Sequence, residues 1–167
     1  MINKKENEWE KSQKRFEYLW NNEILDRCCI SVTAPKSGAS CPEPVGSSLE
    51  EKWLDGECIY QNEVARMKSL AYYGDAFPCI FLNFGAAGNA AYYGSKPVLR
   101  PDTIWFDPCI EDAEEYEKLE MSDPFGMYPK QVEIAEYLAE KGKGEFIVSM
   151  PDNCVAIDVL SHLRGPE

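Results

Sequence analysis

Two polar side chains that could take part in catalysis stand just after predicted buried strands. Asn83 follows the apolar run 79–82, and Asp152 follows the run 146–148. Because the carboxyl ends of parallel strands meet at one edge of a sheet, we expect both side chains to face a common cleft. A carboxylate there can act as acid or base, and an amide can hold a carbonyl or carboxylate by hydrogen bonds. We therefore predict Asn83 and Asp152 as catalytic residues, although Asp152 also fits the N-cap of the next helix.

Residues near the same strand ends are predicted to bind substrate. Lys36 can pair with an anion. The small and glycine-rich segment 83–89 suggests a close approach of backbone to ligand, although it lacks the spacing of a nucleotide-binding loop and also fits an ordinary tight turn. Trp105 can line the binding site of an apolar ligand or pack in the core. The predicted substrate-binding residues are Thr33, Lys36, Phe84, Gly85, Trp105 and Met150.

Metal-ligating residues are sparse in this sequence. His162 is the one histidine, and its expected place is the surface or packing side of the last predicted helix. The seven cysteines are odd in number and form no Cys-x-x-Cys pair. We therefore predict reduced thiols in a cytoplasmic protein, with no metal bound by this chain.

The charge of the chain argues against two classes of partner. Its 167 residues carry 29 acidic and 17 basic side chains, for a net charge of −12. Nucleic acid and anionic membranes both attract clustered Lys and Arg, so neither is an expected partner. There is no apolar run of about 18 residues, so we expect no membrane span. The expected ligand is a small molecule.

Buried apolar strands alternate with helices along the chain, which favours an α/β fold with parallel strands. Pro101-Asp102 marks the turn of a hairpin between two of the units. Ser48 and Glu51 have the spacing of a capping box, which predicts a helix start. The predicted strands are 28–33, 79–82 and 146–148, the hairpin is 96–107, and the helices are 4–21, 48–73 with a break near 55–56, 110–119, 128–141 and 155–163.

Four blocks occur in order along the chain: FEYLWNNEILDRCCISVTAPK, YYGDAFPCIFLNFGAAGNAAYYG, DTIWFDPCIED and GKGEFIVSMPDNCVAIDVLSHLRGPE. Their succession resembles the N-terminal half of the uroporphyrinogen decarboxylase-like superfamily, and looks closest to a decarboxylase-like branch of anaerobic bacteria. The resemblance spans residues 20–167 and implies a (β/α)8 barrel. We therefore expect a partial TIM-type barrel over 27–167 with an inserted β-hairpin, and an N-terminal helix over 1–26 that packs on it.

The resemblance implies one of two parent activities, tetrapyrrole decarboxylation or methyl transfer between a corrinoid and a thiol. Methyl transfer is preferred, because Asn83 stands where the decarboxylases carry an aspartate and Lys36 replaces their arginine-rich loop. The zinc ligands of the methyltransferases lie in the C-terminal half of those proteins. Corrinoid and zinc are therefore expected only for a complete parent protein.

The length of the chain bears on the same resemblance. A complete barrel needs about 250 residues, so we expect a fragment or a truncated member of the family. The alternative is a non-catalytic barrel half that acts as an interaction partner, either as a homo-oligomer or with a complementary half.

Overall fold

Short strands and helices alternate in the computed structural model, which describes residues 1–40, 43–152 and 156–165. The predicted break near 55–56 is confirmed, because Asp55 ends one helix and caps the next. The elements are α1 Glu6–Trp20, β1 Ser31–Pro35, α2 Leu49–Leu54, α3 Gly56–Ser69, β2 Leu70–Gly74, β3 Cys79–Phe81, β4 Lys96–Leu99, β5 Ile104–Asp107, α4 Met127–Lys141, β6 Ile147–Ser149 and α5 Ala156–Arg164, with short 3-10 helices at Gly88–Tyr93 and Ala113–Lys118. No helix in the described ranges is long and apolar enough to cross a bilayer.

The strands form pairs, and the predicted partial barrel is wrong. Within the described residues, β1 pairs antiparallel with β2, β3 pairs parallel with β6, and β4 pairs antiparallel with β5. The barrel prediction fails at β1, which was expected to continue a parallel sheet. Instead it runs from Ser31 opposite Gly74 to Pro35 opposite Leu70. The parallel sheet is therefore limited to two strands, and no barrel wall forms.

Strand β2, which pairs with β1, lies in a segment predicted as helix. Helix α3 ends at Ser69, and β2 begins at the next residue. Tyr72 and Tyr73 favour extended structure over helix, because aromatic side chains pack well on a pleated surface. The chain therefore turns back beside β1 at a point where the amphipathic pattern alone suggests another helical turn.

The parallel prediction is confirmed for β3 and β6, and the hairpin prediction is confirmed for β4 and β5. In the parallel pair, Cys79 stands opposite Ile147 and Phe81 opposite Ser149. Ile80 is buried, whereas Phe81 is exposed. One face of this pair therefore covers the core, and the other face is open.

The core is built from one face of each of several elements. Helix α4 contributes Met127, Gln131, Ile134 and Leu138, which are buried and follow one another at helical spacing. Met127, Ile134 and Leu138 join a single apolar cluster with the parallel pair, the hairpin and α5. The fully buried apolar side chains include Met67, Ile80, Ile104, Ile134, Leu138 and Leu163.

Helix α1 is fixed to the rest of the molecule by a buried aspartate. Asp75 is fully buried and accepts hydrogen bonds from Ser12 Oγ at 3.1 Å, Arg15 Nη1 at 3.0 Å, Arg27 Nη1 at 2.6 Å and the Ile30 backbone N–H at 3.0 Å. We call these five residues the Asp75 cluster. Burial opposes ionisation of the carboxyl, but the four donors outweigh it and hold the pKa of Asp75 well below its usual range.

Two further contacts secure α1 beside the Asp75 cluster. Trp9 and Phe16 pack on the Phe77 ring, with ring centroids 5.4 and 5.8 Å apart. Lys4 Nζ donates to the carbonyl oxygens of Gly74 and Ala76 at 2.9 and 2.7 Å. The N-terminal helix predicted from the sequence is therefore present and packed, while a domain boundary at residue 26 stays a prediction.

Candidate functional site

A cavity of about 580 Å³ lies between the segment 43–48, helices α2 and α3, and the end of β3. Its volume is within the range of small-molecule sites, which span roughly 300–1,000 Å³. Most of its lining is apolar, with a few charged and amide side chains. The lining residues are Glu43, Pro44, Val45, Gly46, Ser47, Ser48, Leu49, Lys52, Trp53, Ile59, Asn62, Glu63, Ala65, Arg66, Phe81, Leu82, Asn83, Phe84 and Pro101.

The apolar wall of the cavity is rigid at Trp53. This side chain is buried, and its indole N–H donates to the Arg100 carbonyl at 2.7 Å. Lys52 Nζ lies 5.1 Å above the Trp53 ring and donates to the Pro101 carbonyl at 2.5 Å. Helix α2 is thereby tied to the hairpin turn, so this wall is set before any ligand arrives.

One face of α3 supplies the polar wall. Ile59, Asn62, Glu63 and Arg66 follow one another at helical spacing, and all of them line the cavity. Arg66 Nε and Nη2 both donate to Glu63 Oε2, at 2.9 and 2.6 Å, and this hydrogen bond raises the pKa of Arg66. The Arg66 side chain is still 45% exposed. The cavity therefore has a permanent cation that keeps donors for a ligand.

Side-chain hydrogen bonds hold the segment 43–48, which we call the strap. Asn62 Oδ1 accepts from the Val45 N–H at 2.7 Å, and Asn62 Nδ2 donates to the Val45 carbonyl at 3.0 Å. Glu51 Oε2 accepts from the N–H and the hydroxyl of Ser47 at 2.6 and 2.9 Å. The bond from the Ser47 N–H, with that from its hydroxyl, lowers the pKa of Glu51. The strap is therefore a cavity wall fixed from two helices.

Asn83 and Phe84 are the predicted site residues that line the cavity. Asn83 Oδ1 accepts a hydrogen bond from the Gly85 N–H at 3.1 Å. Gly85 has a φ of +80°, and a Cβ there would lie 2.3 Å from the Ile104 carbonyl oxygen. The close backbone approach predicted for this loop is thus an approach to β5, and it explains the glycine without a ligand.

The other predicted residues lie outside the lining. Lys36 Nζ donates to Asn3 Oδ1 and to the Lys68 carbonyl, at 2.8 and 2.9 Å, so it ties β1 to the N-terminus. Trp105 and Met150 are 56% and 73% exposed. The predicted residues that do not line the cavity are Thr33, Lys36, Gly85, Trp105, Met150 and Asp152.

The two predicted catalytic residues are brought to the same end of one strand pair. Because β3 and β6 are parallel and Phe81 stands opposite Ser149, Asn83 and Asp152 both follow the carboxyl ends of their strands. Both residues are exposed, but Asn83 lines the cavity and Asp152 does not. The N-cap prediction for Asp152 concerns residues 153–155, which lie outside the described residues.

Helix α3 carries the site residues that sequence reasoning missed. Asn62 and Arg66 lie on the same face as the apolar Ile59, one and two turns away. The sequence signal for them is weak, because Asn62 is half-buried and Arg66 is exposed, as polar residues on a helix usually are. The strap gives no comparable signal, since its place over α3 depends on the fold.

The described cysteines are free thiols, at Cys28, Cys29, Cys58, Cys79 and Cys109, and Cys41 and Cys154 lie outside the described residues. Across residues 1–40, 43–152 and 156–165, no group of three or more His, Cys, Asp or Glu side chains is arranged to hold a metal ion. The described residues therefore do not fit a zinc site of the kind implied by the methyltransferase resemblance.

No protein-family model, curated protein or solved structure matches this chain. The resemblance to the uroporphyrinogen decarboxylase-like superfamily therefore stays a prediction. The cavity and its polar groups are the basis on which a function can be argued.

Proposed function

We propose that the protein binds a small, mostly apolar molecule with an anionic group in the cavity beside α3. The observation that carries this proposal is the combination of an apolar enclosure of about 580 Å³ with Arg66 in its wall. Sites of this kind gain affinity from apolar burial and orientation from a few polar groups. Arg66 would hold a carboxylate or sulfonate, while Trp53 and Phe84 would contact the apolar body.

We further propose that this molecule is the thiol substrate of a corrinoid-dependent methyl transfer. The sequence resemblance supplies this reaction class, with tetrapyrrole decarboxylation as the less favoured activity of the same superfamily. A whole corrinoid or tetrapyrrole exceeds a cavity of this size, whereas a short thiol acid fits within it. The residues of this chain would bind and orient the thiol acid, and no step is assigned to zinc because its ligands are not present in the described part.

Calorimetric titration with 6-mercaptohexanoate tests the binding proposal. We expect saturable binding that weakens about tenfold in Arg66→Gln, because a hydrogen bond to a charged partner contributes about 1.5–3 kcal/mol. Lys14→Gln, which removes the same charge from the exposed side of α1, should bind like the wild type. Hexanethiol, which lacks the anion, should bind equally to the wild type and to Arg66→Gln. Absence of saturable binding would refute the proposal.

The reaction class has its own test. Methylcobalamin and 6-mercaptohexanoate are incubated with the protein under anaerobic conditions, and the absorbance of the methylated corrinoid is followed. Loss of the methylated form with appearance of the thioether would support methyl transfer. If the protein binds 6-mercaptohexanoate but transfers no methyl group, it is a binding protein and the enzymatic proposal is refuted.

A second candidate function is self-association, which the outer face of the β1–β2 pair favours. Val32 and Tyr73 stand directly opposite each other and are 49% and 58% exposed, and Ile30 continues the same face. Contiguous apolar surface of this kind is a common mark of an interaction site. We propose a second copy of the chain as its partner. Light scattering across a hundredfold range of concentration tests this, and a monomer throughout would exclude it.

A further inference from the structure

The strap is a cavity wall that belongs to no strand or helix. The backbone of residues 43–47 makes no hydrogen bond to other described backbone. What fixes it are side chains of the neighbouring helices, chiefly Asn62 from α3 and Glu51 from α2. Residues 43–47 of the strap can therefore open without breaking any secondary structure, while Ser48 stays in place as the N-cap of α2. The local cost of opening is therefore the loss of a few hydrogen bonds.

A buried thiol lies directly under the strap. Cys58 is buried, and its Sγ donates to the Val45 carbonyl at 3.2 Å. Gly46 has a φ of +109°, and a Cβ at that position would lie 2.8 Å from Cys58 Sγ. Any group added to this sulfur would collide with the strap in its observed position. Burial also raises the pKa of the Cys58 thiol. Because the thiolate is the reactive form, the closed strap lowers the reactivity of Cys58 as well as blocking access to it.

We infer that the strap opens as a unit and that Asn62 and Glu51 are its latches, so that latch strength sets how long a ligand stays in the cavity. This role in ligand binding rests on the proposed function. The opening itself does not, because it is measured without a ligand. Asn62 lines the cavity, whereas Glu51 does not. An effect of Glu51 on ligand residence is therefore indirect, through the strap that it holds.

Site-resolved labelling of Cys58 reports the opening. The protein is treated with methyl methanethiosulfonate, and mass spectrometry follows each thiol separately. We expect Cys58 to react about tenfold faster in Asn62→Ala and in Glu51→Ala, since each change removes hydrogen bonds contributing about 1–3 kcal/mol. The control is Glu50→Ala. Glu50 and Glu51 both lie in the first turn of α2, so the loss of a negative charge at the helix terminus is matched.

Cys79 in β3 supplies an internal reference, because its thiol donates to the Ile80 carbonyl of its own strand and not to the strap. Its labelling rate should stay within about twofold of the wild type in all three variants. If Cys79 accelerates by the same factor as Cys58, the variants loosen the whole fold and the inference fails. It also fails if Cys58 reacts at one rate in the wild type, Asn62→Ala and Glu51→Ala.

Ligand kinetics complete the test. Stopped-flow release of 6-mercaptohexanoate should be about tenfold faster in Glu51→Ala than in Glu50→Ala. Equal release rates, with Cys58 labelling accelerated, would refute the link between the strap and residence. If calorimetry finds no binding at all, the proposed function fails, while the labelling ratios decide the opening separately.

Discussion

The Asp75 cluster and the cavity both place arginine beside a carboxylate, but they use the pair differently. Asp75 is fully buried and accepts four hydrogen bonds, two of them from Arg15 and Arg27. Arg66 and Glu63 lie one turn apart on a helix, and Arg66 remains 45% exposed. In the first region, the charges of Asp75, Arg15 and Arg27 pair with one another and hold α1 in place. In the second, a cation is kept at the edge of an apolar enclosure.

The difference teaches how to separate a structural ion pair from one that serves a ligand. A buried carboxylate with all its acceptor sites occupied has nothing left to offer a ligand, and removing it leaves uncompensated charges inside the protein. A half-exposed arginine paired at helical spacing contributes little to folding and retains donors.

The largest effect is expected for Asp75→Asn. This change keeps the shape of the side chain but removes the charge that compensates Arg15 and Arg27. Breaking a buried ion pair costs about 3–5 kcal/mol of unfolding free energy. Urea denaturation measures this loss, and a loss no larger than that of Asp26→Asn, the exposed partner of Arg15, would contradict the structural role of the cluster.

Acid should weaken the Asp75 cluster. The pKa of Asp75 is depressed in the folded state, so its contribution to stability is complete above the unfolded pKa near 3.9 and is lost as the pH falls below that value. We expect the urea concentration at the unfolding midpoint to decrease as the pH is lowered from 4 to 2. In Asp75→Asn this part of the pH dependence should be missing, and an unchanged pH profile in that variant would contradict the assignment.

A smaller effect is expected for Arg66→Gln. Because the Arg66–Glu63 pair is half exposed and screened by solvent, the unfolding free energy should change by less than about 1 kcal/mol. The same variant is the one expected to lose ligand affinity. A stability loss comparable to that of Asp75→Asn would show that both regions are structural and would remove the contrast between them.

The smallest effect is expected for Val32→Thr on the open face of the β1–β2 pair. The side chain is half exposed and threonine keeps the β-branch, so stability should stay within about 0.5 kcal/mol. If a second copy covers this face, light scattering should show weaker association in the variant. Tyr73→Thr provides a second substitution on the same face, directly across the strand pair.

Much of the local structure could be predicted from the sequence. The parallel pairing of β3 with β6 follows from the alternation of strands with helices. The strands themselves, the hairpin and the helix start at Ser48 follow from apolar runs and from turn or cap residues. These features depend on nearby residues, which a sequence displays directly. The cavity residues Asn83 and Phe84 were found for the same reason, since they follow a recognisable strand.

What could not be predicted depends on pairing across the chain. Helical periodicity gives no sign that α3 stops at Ser69 or that β2 then pairs with β1. That single pairing removes β1 from the parallel sheet and overturns the barrel. The strap lies over α3 through bonds to Asn62 and Glu51, and the latch partner at Val45 is 17 residues from Asn62. Contacts of this kind are decided by the fold and not by local pattern.

The Asp75 cluster also orders events during synthesis of the chain. Its hydrogen bonds join Ser12, Arg15 and Arg27 to a residue 63, 60 and 48 positions further on. At a synthesis rate of about 5–20 residues per second, α1 leaves the ribosome roughly 3–12 seconds before Asp75 leaves it. During that interval Trp9 and Phe16 have no Phe77 to cover them. The newly made α1 segment therefore exposes two aromatic rings until Phe77 emerges.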